Sequence, residues 1–471
     1  MTALFARHAL LPDGWRRDVL LEWDGDGRFT AVSADAGALA ASRAAATAPI
    51  ETAEYVLPGM INLHSHSFQR ALSGLTEIAG DDPGSTGDSF WTWRDLMYRF
   101  ALGITPEQME AIAAQLFAEC LRHGYTSVCE FHYVHRAPDG ALYPDVAETA
   151  RRVIAAARHA GIGITMLPVL YSYAGFGDAA LRDEQRRFRS GPADVLAIVA
   201  ALEPLRDTMV EVGVAPHSLR AASMAQIREL LAALPPERPV HIHIAEQVAE
   251  VRQCVDHGGR RPVQYLYDNL AVDERWCLVH ATHLADDEVA AIAASGAVAG
   301  LCPTTEANLG DGLFPLAPFL AAGGRFGIGS DSHVSTGTVE ELRWLEYGQR
   351  LAGQRRNVAV ATHAMRATDE RRVGDHLWRA ALAGGAQAAG RRVGALAPGY
   401  SADLLVLDEA HPNVSAPPEL LNGFIFSGND NLLKDVLAGG QWVVRGGQHV
   451  AQAAIAARFK ETLTNLRELR S

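Results

Sequence analysis

Histidines and carboxylates cluster at a few places in this 471-residue sequence, in types and spacings that suit metal-assisted hydrolysis. His64-Ser65-His66 closes an apolar run at residues 55–63. On a strand, residues i and i+2 point to the same side, so these two imidazoles would converge on one point. His241-Ile242-His243 ends a second apolar run, with Glu246 just beyond it. His280 ends a third, and Asp331 follows Gly327-Ile328-Gly329-Ser330. Imidazole nitrogens and carboxylates arriving from separate strand ends match what a catalytic zinc site requires. His243 is the better ligand of its pair because it lies nearer the strand's end. His241 reads as a hydrogen-bonded core residue.

Those side chains can meet only if their strands end on one rim. Eight β-type runs are spaced for that: 55–63, 125–131, 162–171, 210–216, 239–245, 276–281, 297–303 and 325–330. Helical patterns separate them. Residues 106–123 carry Thr105 as N-cap, Gln108 at the capping-box position, Pro106 in the first turn and Gly124 past the end. A second helix over 145–160 stops at Gly161. Alternating strand and helix at this length predicts a parallel (β/α)8 TIM-type barrel over 55–397. A doubly wound open sheet is disfavoured, because no glycine-rich phosphate turn follows the first strand. Residues 1–54 and 398–471 read instead as short alternating strands with a helical tail over 451–469. They predict one small β-sandwich built from both chain ends. The stretch 80–89 reads as a loop or lid.

Composition narrows the field further. Hydrophobic residues make up 48% and charged residues 21%, which excludes wholesale disorder. A net charge of −13 argues against a nucleic-acid partner. The longest apolar stretch, 289–302, is broken by Ser295, Gly296 and Gly300, and falls short of the roughly 18 residues of a membrane span. Met1 to His8 lack the features of a signal peptide. The five cysteines are odd in number and widely spaced, so a reducing, cytoplasmic setting is expected.

The order of these motifs, from the first strand to the last, resembles the amidohydrolase superfamily across the whole chain. Many members bridge two metals with a lysine at the end of strand four. Here that slot falls near Ala215-Pro216-His217, and the sequence has lysine only at Lys434 and Lys460. The resemblance therefore implies one divalent metal per chain, Zn2+ by expectation, as in the family's mononuclear deaminase branch. Its ligands carry over onto His64, His66, His243 and Asp331. His280 would orient the nucleophile, Glu246 would shuttle protons, and Asp331 would also take part in catalysis. Which carboxylate moves which proton stays open.

Six further motifs occur in order: His64-Ser-His-Ser-Phe-Gln-Arg-Ala-Leu-Ser-Gly, Phe90-Trp-Thr-Trp-Arg94, Glu130-Phe-His-Tyr-Val-His135, Ala215-Pro-His-Ser-Leu-Arg220, Cys302-Pro-Thr-Thr-Glu-Ala-Asn-Leu-Gly and Ser330-Asp-Ser-His-Val-Ser. They resemble a subgroup of that branch whose small-molecule substrate is a dicarboxylate amidine, hydrolysed with loss of ammonia. This implies a substrate pocket of Gln69, Arg94, Tyr133, His217 and Arg220, and a homodimer. Arginine suits such a substrate independently, since its planar fork binds carboxylates bidentately. Trp91 and Trp93 read as core or pocket wall, with core the safer reading, Glu130 as a carboxylate behind the ligands, and His333 and Asn308 as supporting groups. Two rival readings remain: a deaminase of a nucleobase or triazine, which would want an apolar aromatic pocket, and a non-catalytic homologue, which would need broken ligand positions.

Overall fold

The computed structural model describes residues 2–46, 50–78, 90–360 and 371–468; the loop expected at 80–89 lies outside the described residues. Four strands come first: β1 Thr2–Leu11, β2 Gly14–Trp23, β3 Phe29–Ser33 and β4 Glu51–Pro58. The barrel strands follow: β5 Met60–Ser65, β6 Tyr125–His132, β7 Gly163–Leu170, β8 Val210–Val212, β9 Ala215–Pro216, β10 Val240–Ile244, β11 Trp276–His280, β12 Val298–Leu301 and β13 Arg325–Ile328. Last are β14 Leu404–Leu407, β15 Leu433–Ala438, β16 Gln441–Arg445 and β17 Gln448–His449.

The barrel strands pair in parallel in the order β10-β11-β12-β13-β5-β6-β7-β8, with β9 on β7. β8 and β9 are two pieces of the run expected at 210–216. Parallel bridges Val214–Val240 and Ser218–His243 close the ring onto β10. Helices cover the outer face, so the strands are buried on both sides and read as nearly unbroken apolar runs. Every residue of β5, β6, β7, β10 and β11 is buried. The fold is the (β/α)8 barrel.

Both chain ends build the second sheet, in the order β17-β16-β15-β14-β4-β1-β2-β3. It is one continuous sheet folded over an interior of Leu4, Val19, Trp23, Val56, Leu404 and Leu437. Trp23 Nε1 donates to Gly440 O across the fold at 3.1 Å. The tail helix Gln452–Glu468 lies against helix Pro106–Arg122, where Arg458 pairs with Glu110 at 2.8 Å.

The run at 55–63 is not one strand. Pro58 ends β4 in the outer sheet, and β5 starts the barrel two residues later. A Cβ on Gly59 would lie 2.2 Å from Thr126 Oγ1, so the chain passes between the two sheets where no side chain fits.

Helix formation follows the capping signals. Thr105 accepts from Gln108 N and donates its own N–H to Gln108 Oε1, a complete capping box for helix Pro106–Arg122. Gly124 (φ +97°) and Gly161 (φ +80°) then turn the chain from helix to strand in the left-handed region. Helix Val373–Ala389 presses on the barrel wall through Gly384 and Gly385. A Cβ on Gly384 would lie 1.9 Å from Phe326 O, and one on Gly385 would lie 2.9 Å from Ile61 Cβ. Because the obstacle at Gly384 is backbone, relief needs a shift of the whole helix. Gly384→Ala is expected to destabilise by at least about 1–3 kcal/mol, read as a lower thermal midpoint; an unchanged midpoint would contradict this packing.

Candidate active site

Register brings the predicted donors to the C-terminal mouth in two sets that share His64, one with His66 and His243 and one with His280 and Asp331, each with donor atoms within 4.8 Å of one another. β5 pairs with β6, and Ser65 bridges to Asp331 just past β13. Asp331 N donates to His64 O at 3.0 Å, and His66 N donates to Asp331 O at 3.2 Å. His64 Nε2 lies 3.1 Å from His66 Nε2 and 2.9 Å from His243 Nε2. Asp331 Oδ1 sits 3.4 Å from His64 Nε2 and 3.3 Å from His66 Nε2. For bonds of about 2.0–2.1 Å, a tetrahedral ion spaces its ligand atoms about 3.3–3.4 Å apart, close to what is found.

The tautomers sharpen this fit. His66 Nδ1 donates to Phe131 O at 2.9 Å, and His243 Nδ1 donates to His217 O at 3.1 Å. A neutral imidazole has one N–H, so both Nε2 atoms aim lone pairs at His64 Nε2. One proton on His64 cannot serve both, and its own buried Nδ1 has no hydrogen-bond partner among the described residues. A cation turns these opposed lone pairs into ligands. Burial keeps the histidines neutral: His64 is lowered to about 3, and His66 and His243 are lowered too. Burial would raise Asp331, yet the imidazoles of His64, His280 and His66 hold it below the usual carboxylate range.

Behind the donors, Glu130 accepts from Ser65 Oγ (2.6 Å), Ser67 N (2.8 Å) and Ser67 Oγ (2.6 Å), clamping the backbone on either side of His66. Burial pushes its carboxyl up to about 7 despite these bonds. His333 Nδ1 lies 2.8 Å from Ser330 Oγ, and its Nε2 accepts from His66 N at 3.2 Å. His241 contacts Ala388 O through Nε2 at 2.8 Å, a core contact away from the cluster. Asn308 does not support the site: it is exposed and donates to Glu77 at 2.8 Å.

Beside the donors, His280 is ringed by carboxylates. Its Nε2 lies 3.8 Å from both Glu246 Oε1 and Asp331 Oδ2, and its Nδ1 lies 3.3 Å from Glu306 Oε1. Burial opposes a charge on this ring, but Glu246, Glu306 and Asp331 outweigh it and raise His280 to about 10. Burial lifts Glu246 to about 7 against His280 and Arg220. Asp311, pressed against this group, is lifted to about 9 by burial and by Glu246. Glu246, His280 and Asp311 form a further set with donor atoms within 4.8 Å of one another. The roles of Glu306 and Asp311 were not read from the sequence, although Glu306 stands inside one of the quoted motifs. Backbone strain concentrates here: Ala245, His280, Ala281, Asp331 and His333 have φ between +46° and +67°.

A cavity opens over the donors, lined by Gln69, Arg94, Tyr133, His217, Arg220 and Asp331 among others. Gln69 donates to Tyr133 Oη at 2.7 Å, and its buried Oε1 has no partner among the described residues. Both guanidiniums stack on Trp91, Arg94 at 4.4 Å and Arg220 at 5.6 Å from the ring centroid. Neither makes an ion pair among the described residues, and the Nε atom of each is buried without a partner. Trp91 and Trp93 are half-buried: Trp93 packs against the main core and also lines the cavity, and Trp91 is the plate between the arginines.

Residues 55–443 match the amidohydrolase family, and residues 1–46 match the N-terminal domain of formimidoylglutamate deiminase HutF. The chain is 52% identical over 469 residues to the formimidoylglutamate deiminase of Pseudomonas aeruginosa, covering 99% of this chain and 100% of that protein. A crystal structure described as an amidohydrolase from Brucella melitensis superposes with TM-score 0.90 at 42% identity, over 99% of this chain and 100% of that one. An adenosine deaminase from Xanthomonas campestris with bound zinc shares the fold, with TM-score 0.77 at 22% identity over 99% and 98% of the two chains.

The clamp on His66 has a direct test. Glu130→Ala strands two hydroxyls and one backbone N–H, so His66 should lose its set orientation. Metal affinity is expected to fall about 10–100-fold, measured by competition with a chromogenic chelator. Unchanged affinity would contradict the clamp.

Proposed function

The chain belongs to the amidohydrolase family, and on that premise we propose that it acts as a formimidoylglutamate deiminase, converting N-formimino-L-glutamate and water to N-formyl-L-glutamate and ammonia in histidine breakdown. One observation carries the choice of substrate. Arg94 and Arg220 present unpaired donors in the cavity above the donor cluster, where an apolar ring substrate would leave them unsatisfied.

His64, His66, His243 and Asp331 would hold one divalent cation per chain, with zinc suited to three imidazoles and a carboxylate. Such an ion, when bound, lowers the pKa of a water toward 7 and so supplies a hydrolytic nucleophile at neutral pH. Asp331 Oδ2, on the side facing His280, takes the proton of the attacking water. His280, held through Nδ1 by Glu306, orients that water and passes the proton on. The water oxygen bonds to the amidine carbon, and the carbon becomes tetrahedral. The C–N bond to the terminal nitrogen then breaks, and the relayed proton leaves with ammonia. Glu246 faces the cationic amidine, supplies the opposite charge and exchanges protons with its N–H groups. Arg94 and Arg220 take the carboxylates and fix the amidine against the nucleophile, with Gln69, Tyr133 and His217 completing the wall.

The same reading includes a cytoplasmic homodimer. Five buried cysteines without a disulfide suit a reducing compartment, and no helix among the described residues is long and apolar enough to cross a membrane. We also infer that residues 55–397 form the catalytic unit and residues 1–54 with 398–471 its companion, with β4 at the seam.

Incubation with N-formimino-L-glutamate should release ammonia and N-formyl-L-glutamate in equal amounts, with no free glutamate. Glutamate and formamide as products would overturn the deiminase reading. Glu246→Gln should keep the metal and lose about 10²–10⁴-fold in kcat; an undiminished rate would remove Glu246 from proton transfer.

A further inference from the structure

Tyr98, on helix Phe90–Ala101, and Tyr171, just past β7, meet in the wall of the substrate cavity with their hydroxyls 2.9 Å apart. Gln185 donates through Nε2 to both, at 3.1 Å to Tyr98 and 2.8 Å to Tyr171. The orientation of that amide is set, because its Oε1 accepts from Arg182 N at 2.9 Å. Its two N–H hydrogens are therefore spent on the two phenol oxygens. Two hydroxyl hydrogens remain in the triad, and the bond between the tyrosines uses one, whichever of them donates. The other has no acceptor among the described residues.

Both tyrosines are nearly sealed from solvent, at 3% and 4% exposure, so the spare O–H must find its acceptor inside the cavity. The surroundings define that acceptor. The Arg94 guanidinium lies 5.4 Å over the Tyr98 ring, and burial pushes the Tyr171 phenol up, with Arg94 and Arg220 pulling the other way. A phenol donor beside two unpaired guanidiniums suits a carboxylate. Depth selects which one. The Tyr171 ring packs on His217 at 4.6 Å between centroids, and His217 packs on His243 at 4.8 Å, so the triad stands two rings away from the donor cluster. In N-formimino-glutamate the α-carboxylate stays next to the amidine, whereas the side-chain carboxylate lies two carbons farther out.

We propose that Tyr98 and Tyr171, held in place by Gln185, form the subsite for the remote, side-chain carboxylate and set the chain length of the diacid accepted. The inference rests on the deiminase reading and adds the residues that tell glutamate from shorter or monocarboxylate amidines.

The test uses metal-loaded enzyme and three formimino substrates: those of L-glutamate, of 4-aminobutyrate (which keeps the remote carboxylate) and of L-2-aminobutyrate (which lacks it). The Tyr98→Phe/Tyr171→Phe double variant should lose roughly 10–100-fold in kcat/KM on the first two, mostly through KM. Most of that loss should vanish on the third. Gln185→Glu guards against loss of fold: it keeps the volume but accepts both hydroxyl hydrogens, so it should reproduce the same selective loss. Equal losses on all three substrates, or none, would overturn the subsite while leaving the deiminase reading intact. A wild type that turns over none of the three would overturn that reading and the subsite with it.

Discussion

Two imidazole lone pairs, on His66 and His243, point at a third buried imidazole nitrogen about 3 Å away, and much of the barrel mouth is arranged to hold them there. Without a cation this arrangement is repulsive, so each ring must be gripped from behind. Phe131 O and His217 O fix the tautomers, and Glu130 and His333 pin the backbone that carries His66. The strand ends adopt left-handed conformations at Ala245, His280 and Asp331 to deliver their side chains. On the barrel wall, Gly384 and Gly385 let a helix press against β13 and β5.

The cavity above the donors is electrically polarised. Glu246 and Asp331 line it beside the donors, and Arg94 and Arg220 on its wall make no ion pair among the described residues. An amidinium joined to two carboxylates has the matching polarity. A deaminase of neutral aromatic rings would have to bury both guanidiniums unpaired. A non-catalytic homologue would have no use for three imidazole nitrogens kept as close as those of His64, His66 and His243. The protein's net charge of −13 is compatible with an anionic substrate because the local field, set by two arginines and few competing groups, governs what enters.

What was legible in the sequence was what strand geometry dictates. His64-x-His66, His243 and Asp331 stand at or just past strand ends, and a parallel barrel brings all strand ends to one rim, so local motifs sufficed to expect these side chains at the same mouth. Glu306 and Asp311 were not legible, because their contact with His280 depends on how the segment after β12 folds back over the mouth. The same segment explains why Asn308 points away: two residues on from Glu306, it lies about 200° around a helix. Trp91 and Trp93 could be core or pocket wall from sequence alone; their helix packs on the core and borders the cavity, so Trp93 does both. The break of the 55–63 run at Pro58-Gly59 escaped a reading by hydrophobicity, since both halves are apolar and only their sheets differ.

The most direct test of this account is anomalous diffraction at the zinc edge, from crystals grown with zinc and glutarate. One peak per chain is predicted, about 2.0–2.2 Å from Nε2 of His64, His66 and His243 and from an Asp331 oxygen, with the diacid seated on Arg94 and Arg220. Two peaks, or one peak displaced onto Glu246, His280 and Asp311, would contradict it.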